Sequence, residues 1–314
     1  MNLFKRKSKL DRLTAIVVSF LRPNYTIDCV KSLRETYPYI GKILVGENGY
    51  YDESVEKAIF DANGEYIELK FDSGVGPGRN RLMDKVNTDY VLVGDDDFLY
   101  DDKAMVDRMV EFLDNHPEFD LVGGRIIENK NLKNYQGFID INDDHLKYRM
   151  VHENTVEDFD EESGLRYKKV DLTFNFFVAR TESIRDVPWD EKIKVAYEHS
   201  HWFISLKKAG KNVAFSPDPV VDHKKQNYKI SQEYKQFRTR KSDKNYFFKS
   251  LGIDYSEGMN GGITKIDENG NKKYFAKSAV KILGRKYRSG DLIIIEKEVY
   301  SRLPLGIKER IRKS

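Results

Sequence analysis

Hydrophobic and polar positions between residues 13 and 124 alternate between short β-branched runs and stretches of helical periodicity. This order predicts βαβ units around a mixed, mainly parallel sheet, an α/β (Rossmann-like) fold. The predicted strands span residues 14–20, 42–47, 66–71 and 90–94. A loop with three glycines, residues 72–80, leads into a helix after the third strand.

The pattern changes twice further along the chain. Residues 128–169 are polar and weakly periodic, which predicts hairpins and loops over one face, and a helix is predicted at 198–209. From about residue 228 the composition shifts to Lys, Tyr and Gln. We therefore predict a basic N-terminal segment (1–12), a main domain (13–227) with halves 13–124 and 125–227, and a small basic C-terminal extension (228–314).

Composition places the chain among ordinary globular proteins. It has 314 residues, 39% of them hydrophobic, a formal charge of +3 and one cysteine, Cys29. Cys29 lies at helical spacing with apolar residues and is predicted to fill the core, and the absence of cysteine pairs favours a reducing, cytoplasmic setting. No apolar run is long enough to span a bilayer, and no apolar signal segment follows Met1.

The charge is unevenly distributed. Residues 277–314 carry eleven Lys or Arg against four Asp or Glu. Such a tail suggests an anionic partner, either lipid headgroups or nucleic acid, or it is a solvated basic face. Residues 303–314 alternate apolar and basic positions, so they either lie on an anionic membrane or pack against the rest of the protein.

The sharpest chemical feature is Asp95, Asp96 and Asp97, directly after an apolar strand. Three carboxylates that close repel one another unless a cation neutralises them. A hard divalent cation, Mn²⁺ or Mg²⁺, bound by one or two carboxylates and by phosphate oxygens is the natural solution. Ligands gather at the carboxyl ends of parallel strands, where this cluster falls. The alternative is an acidic turn that caps the next helix.

Three further residues are candidates for the same edge of the sheet. Arg79, on the glycine-containing loop, would contact a phosphate or order the acids. Glu198 begins a predicted helix, where it is either a general base or a helix cap. His223 follows an apolar run and is either a ligand or a structural residue.

The two tryptophans have two interpretations. Trp202 and Trp189 would either stack on an acceptor molecule or pack in the core.

Several segments together resemble a known family. Four segments resemble, in order and spacing, the nucleotide-sugar half of family 2 glycosyltransferases with the GT-A fold. These segments are residues 14–23, 42–49, 78–80 and 95–97. The β-1,4-N-acetylgalactosaminyltransferase group is similar to residues 95–98, 198–199 and 220–223. The resemblance covers about residues 13–225.

The resemblance implies a role for each matching residue. The residues predicted to bind the donor are Arg22, Glu47, Asp72, Arg79, Asp95 and Asp96. Glu47 would read the uracil ring, Asp72 would flank it, and Asp95 would meet the ribose. Asp97 and His223 would hold the metal. The catalytic candidates are Glu198 and His199, because the common Glu-Asp motif reads Glu-His here.

The implied activity is metal-dependent, inverting transfer of a hexose or N-acetylhexosamine. The donor is a UDP-sugar and the acceptor a hydroxyl of a glycan or lipid-linked molecule, as in polysaccharide or glycoconjugate synthesis. An anionic membrane is an expected peripheral contact, and a nucleic-acid partner is not expected. The alternatives are a nucleotidyltransferase, for which only Arg22 and Arg79 are available near the first strand, and a non-catalytic nucleotide-sugar or polyanion binding module.

Overall fold

The chain forms two compact units. The computed structural model describes residues 9–141, 145–151, 158–223, 231–238, 241–253, 255–257, 263–264, 272–276, 280–282, 285–287, 292–295, 303 and 305–313. One unit comprises residues 1–137 and 151–243, and the other residues 138–150 and 244–314. The boundaries predicted from the sequence at 12, 124 and 227 stay predictions.

The larger unit carries the α/β architecture. Its strands are β1 (Leu13–Ser19), β2 (Lys42–Glu47), β3 (Glu65–Glu68), β4 (Tyr90–Asp95), β5 (Leu121–Glu128), β6 (Asn131–Lys133), β9 (Asp158–Asp160), β10 (Leu165–Val170), β11 (Phe177–Arg180) and β12 (Val213–His223). Its helices are α1 (Pro23–Thr36), α2 (Glu53–Asp61), α3 (Val75–Met83), α4 (Val106–Asn115), α5 (Thr181–Asp186), α6 (Glu198–Lys208) and α7 (Gln232–Arg238). The aromatic-rich run at residues 170–178 predicts a single strand, and this prediction is wrong, because β10 ends at Val170 and β11 begins at Phe177.

One mixed sheet organises this unit. Its order is β3-β2-β1-β4-β11-β5-β12-β10-β9, with β6 beside β5. Strands β3, β2, β1 and β4 lie side by side and run parallel to one another. Strand β11 is antiparallel to β4 and β5, and β12 runs parallel to β5. The register pairs Ser19 with Glu47 and Val18 with Asp95, so the ends of β1, β2 and β4 lie side by side. The predicted fold class is confirmed.

The three glycines of residues 72–80 predict a loop whose backbone can approach a ligand, but the structure gives two of them a different use. Helix α3 already begins at Val75, so Gly76 and Gly78 lie within it. A Cβ on Gly78 would come within 3.0 Å of the Val18 side chain, and one on Gly76 within 3.0 Å of Trp189 Cβ. These glycines therefore let α3 pack closely on β1 and Trp189.

The smaller unit contains shorter elements. They are β7 (Gln136–Ile141), β8 (His145–Val151), α8 (Lys241–Leu251), β13 (Tyr255–Glu257), β14 (Ile263–Thr264), β15 (Lys272–Ala276), β16 (Val280–Ile282), β17 (Arg285–Tyr287), β18 (Leu292–Ile295), α9 (Leu305–Arg310) and β19 (Ile311–Lys313). Strand β7 and helix α8 begin in the larger unit. Ile282, Ile293 and Ile311 form a buried cluster, against which Ile307 packs. Apolar side chains of the tail are thus packed within this unit, and its contact with a membrane stays a prediction.

Two sequence interpretations of apolar residues are settled by burial. Cys29 is fully buried, as predicted. Trp202 stacks between Trp189 and Phe177, at ring-centroid distances of 4.5 Å and 5.4 Å, and its Nε1 donates to the Val187 carbonyl at 2.7 Å. Both indoles are at most 2% exposed, so they are core side chains. No helix among the described residues is both long and apolar enough to cross a bilayer.

Trp202→Ala should lower the free energy of unfolding by about 3–5 kcal/mol, because it leaves a cavity beneath α6. Urea denaturation followed by circular dichroism measures the change. Phe60→Ala is the control: Phe60 is 79% exposed, so its loss should cost about 0.5 kcal/mol or less. Equal losses in the two variants would contradict the packing described for Trp202.

Candidate active site

A cleft of about 370 Å³ opens at the carboxyl ends of β1 and β4. Eight of the ten predicted site residues line it, namely Arg22, Asp72, Arg79, Asp95, Asp96, Asp97, Glu198 and His223. Glu47 and His199 are not part of this lining. The cleft therefore collects residues from distant parts of the chain around the acidic triplet.

Arg22 is the first cation that neutralises the acids. It follows a turn at Leu21, whose φ is +53°, and immediately precedes α1. Its Nη1 donates to Asp97 Oδ2 at 2.6 Å, and its Nη2 donates to Asp96 Oδ1. Burial raises the pKa of Asp96 to about 7, although the charge of Arg22 opposes this shift. Asp96 Oδ2 has no hydrogen-bond partner among the described residues. Asp96 is thus a buried support for Arg22.

Asp97 and His223 are in direct contact within the cleft. His223, the last residue of β12, places Nε2 3.2 Å from Asp97 Oδ2. Burial acts to raise the pKa of Asp97, but the hydrogen bond from His223 and the charge of Arg22 lower it to about 2. The contact with Asp97 raises the pKa of His223.

The Asp97 and His223 pair fits a divalent metal. A carboxylate and an imidazole are a donor set that suits Mn²⁺, and Mg²⁺ is commonly held by one or two carboxylates plus phosphate oxygens. Among the described residues, no group of three or more His, Cys, Asp or Glu side chains forms a fuller site. Two protein ligands would leave the remaining positions to phosphate oxygens and water.

Arg79 links the acidic triplet to Glu198. It lies on α3 and is 2% exposed. Its Nη2 donates to Asp95 Oδ1 at 3.0 Å and its Nη1 to Glu198 Oε2 at 3.3 Å. The guanidinium also lies over the Trp189 ring, 5.4 Å from the centroid. One buried cation therefore fixes two carboxylates on opposite sides of the cleft.

The loop before α6 is fixed by hydrogen bonds to one carboxylate. Asp243 Oδ2 accepts from the backbone N–H groups of Val195 and Ala196, at 2.9 Å and 3.1 Å. Tyr197 then adopts a left-handed conformation, with φ at +69°, and Glu198 begins the helix. Glu198 is 8% exposed and lines the cleft, which is a suitable setting for a positioned base.

His199 follows Glu198 in the chain but is not part of the cleft lining. Its Nδ1 is 2.6 Å from Asn175 Oδ1, and Asn175 Nδ2 donates to Asp95 Oδ1 at 3.4 Å. Desolvation by the surrounding protein and the charge of Arg79 lower the pKa of His199 to about 3. Between the two catalytic candidates, the geometry therefore favours Glu198.

Of the two residues predicted to surround a uracil ring, Asp72 lines the cleft and Glu47 does not. Glu47 is 4% exposed, and its carboxylate accepts from the Ser19 hydroxyl at 2.8 Å and from Gly49 N–H at 2.7 Å. Burial raises the pKa of Glu47. Asn48 and Asp72 line the cleft in front of it, and Lys194 donates to the Asp72 carboxylate at 3.2 Å. The role of Glu47 as the uracil reader stays a prediction.

Sequence reasoning missed several lining residues. Asn175 is a polar residue within an apolar and aromatic run, which is a signal that could have found it. Tyr234 and Phe237 occupy one face of α7 and come close to Phe20, at centroid distances of 6.3 Å and 5.4 Å. The lysine-rich composition around α7 masked this aromatic pair.

The comparisons with known proteins identify the family of this chain. Residues 14–187 match the family described as "Glycosyl transferase family 2". The chain belongs to this family of glycosyltransferases. The matched range contains the acidic triplet and Arg79, whereas Glu198 and His223 follow it.

Relatives and solved structures add detail. The chain is 31% identical over 204 residues to Beta-1,4 N-acetylgalactosaminyltransferase 2 of Mus musculus. The matched residues cover 61% of this chain and 35% of the relative. It is 28% identical over 223 residues to Beta-1,4 N-acetylgalactosaminyltransferase 1 of Homo sapiens, covering 67% and 38%. The chain therefore spans little more than a third of the length of these relatives.

The fold is similar to that of S. aureus TarS 1-349 solved in complex with UDP-GlcNAc. The TM-score is 0.51 at 14% sequence identity, covering 69% of this chain and 60% of that one. The likeness supports the GT-A fold predicted for this chain.

The free energy of unfolding should depend on the protonation of His199. The pKa of His199 falls from an ordinary 6.5 to about 3 on folding, so below pH 6.5 the unfolded chain binds a proton that the folded chain does not. The stability should therefore fall as the pH drops from about 6.5 toward 3, and His199→Phe should remove this part of the fall, at most about 1.4 kcal/mol per pH unit.

Urea unfolding of both proteins at several pH values measures the effect. Between pH 7 and 8 the difference between the two free energies should stay constant, which serves as the control. If that difference also stayed constant down to pH 4.5, His199 would not be held neutral.

Proposed function

We propose that this chain transfers an N-acetylhexosamine from a UDP-sugar to an acceptor hydroxyl, with a divalent metal and with inversion at the anomeric carbon. The observation that carries the proposal is the shared cleft. The cleft brings Asp95, Asp97 and His223 together with Glu198. Arg79 contacts both Asp95 and Glu198. The relatives named N-acetylgalactosaminyltransferases and the fold likeness to a protein that binds UDP-GlcNAc support the choice of donor.

Donor binding would use the acid side of the cleft. Asp97 and His223 would hold Mn²⁺ or Mg²⁺, which when bound supplies a Lewis acid that neutralises the charge on the UDP leaving group. Asp95, fixed by Arg79, would accept hydrogen bonds from the ribose hydroxyls. Asn48 and Asp72 would flank the base in front of Glu47.

Glu198 would act as the general base. The acceptor oxygen forms a bond to the anomeric carbon as the bond from that carbon to the phosphate oxygen breaks, and the hydroxyl proton passes to the Glu198 carboxylate. Arg79 holds this carboxylate in place, so the attack can occur from the face opposite the leaving group. A single displacement of this kind inverts the anomeric centre and requires no covalent intermediate.

The alternative of nucleotidyl transfer has weaker support. It requires basic residues around a triphosphate, and both candidates near the first strand are engaged with acids. Arg22 pairs with Asp96 and Asp97, and Arg79 pairs with Asp95 and Glu198. Family membership also favours glycosyl transfer.

UDP binding should require both the metal and Asp97. Isothermal titration of UDP with the wild-type protein should show tight binding with Mn²⁺ and at least roughly tenfold weaker binding without it. Asp97→Ala should bind UDP weakly in both conditions, because the metal loses its carboxylate.

Asp101→Ala is the matched control. Asp101 caps the short 3₁₀ helix after the triplet, outside the cleft lining, so its loss should leave UDP binding unchanged. Equal UDP binding with and without metal would show that the strand-end acids have been misassigned. A non-catalytic module would bind UDP in the same metal-dependent way but would show no turnover.

Turnover should depend on Glu198. Glu198→Gln should lower kcat for UDP release from UDP-GalNAc or UDP-GlcNAc by roughly 10²–10⁴-fold, because the amide cannot accept the proton. The affinity for UDP should stay within about threefold, since Glu198 lies on the acceptor side. Glu191→Gln, at an exposed glutamate paired with Arg81, should behave like wild type. Unchanged turnover in Glu198→Gln would exclude Glu198 as the base.

A further inference from the structure

A closed chain of contacts joins the two sides of the cleft. It runs from Arg79 to Asp95, from Asp95 to Asn175, from Asn175 to His199, through the peptide bond to Glu198, and back to Arg79. We call these five residues the Arg79 ring. Arg79 and Glu198 are 119 positions apart in sequence, so only folding brings them together.

The donors and acceptors around the Arg79 ring fix the orientation of Asn175. Its amide nitrogen faces Asp95 Oδ1, at 3.4 Å. The amide oxygen then lies 2.6 Å from His199 Nδ1, and this contact is a hydrogen bond in the tautomer that carries its proton on Nδ1. In that tautomer Asn175 receives a hydrogen bond from the α6 side and gives one to the β4 side, which an apolar residue cannot do.

We propose that Asn175 and His199 are positioning residues that hold the Glu198 carboxylate in register with Asp95. The inference rests on the proposed function, because it assigns Glu198 to the acceptor and Asp95 to the donor. Arg79 alone contacts each carboxylate from one direction, so α6 could still shift relative to β4. The contact through Asn175 and His199 supplies a second connection between the same two elements, and a shift of about 1 Å costs roughly a hundredfold in rate.

A neutral His199 suits this role. Desolvation and the charge of Arg79 lower its pKa to about 3, so the imidazole of His199 is neutral at neutral pH. His199 then adds a hydrogen bond without adding a second cation beside Arg79. The Glu-His sequence, which departs from the common Glu-Asp motif, thereby acquires a structural meaning.

The experiment separates positioning from binding in the full-length protein with Mn²⁺. Asn175→Leu removes both amide contacts, His199→Phe removes only the Nδ1 donor, and His199→Asn keeps a donor near the place of Nδ1. The first two variants should lower kcat for UDP release from UDP-GalNAc or UDP-GlcNAc by roughly ten- to a hundredfold. KM for the donor and Kd for UDP should stay within about threefold of wild type, and His199→Asn should recover kcat to within about threefold.

Two matched variants control for packing. His201→Phe changes a buried histidine two residues along α6, which pairs with Asp190 outside the cleft lining. Asn115→Leu changes an amide that donates to Asp160. Both should keep wild-type kcat.

Each other outcome overturns the inference. Unchanged kcat in Asn175→Leu and His199→Phe, or an equal fall in His201→Phe, would reduce the two residues to packing. A fall in kcat accompanied by a matching rise in Kd for UDP would make them donor-binding residues. A wild-type protein that neither binds UDP nor releases it from a UDP-sugar would overturn the proposed function, and the inference with it.

Discussion

The cleft depends on the neutralisation of buried carboxylates by two arginines. Asp95 ends β4, Asp96 and Asp97 follow it directly, and Glu198 reaches the same cleft from the start of α6. Such a cluster of like charges would destabilise the fold without cations of its own. Arg22 pairs with Asp96 and Asp97, while Arg79 pairs with Asp95 and Glu198. Each guanidinium group therefore pairs with two of the four carboxylates.

The surrounding fold keeps these pairs in place. Glycines in α3 let that helix approach β1, and this brings Arg79 into the cleft lining. The stacked indoles of Trp189 and Trp202 support both sides, since Trp189 contacts the Arg79 guanidinium and Trp202 belongs to α6. Core packing and the position of Glu198 are thus coupled. The same pair of stacked indoles therefore contacts both Arg79 and the helix that carries Glu198.

Much of the fold and of the donor side could be predicted from the sequence. The second strand was predicted with the bounds that the structure gives it, and the first and fourth were within one residue, because β-branched runs in βαβ order leave few other folds. Asp97 and His223 were predicted to share a site, and they lie 3.2 Å apart. The glycine-containing loop was misjudged, since glycines in a helix that approaches a strand look locally like glycines in a ligand-binding loop.

The sequence by itself determined the α/β class, the acidic strand end and the resemblance to family 2 glycosyltransferases, because each depends on short-range order along the chain. Tertiary structure alone decided the partners of the acids. The contacts of Arg79 with Glu198 and of Asn175 with both Asp95 and His199 join positions 24 to 119 residues apart. No local pattern encodes such contacts, since hydrogen bonds between distant residues follow from how the helices pack on the sheet.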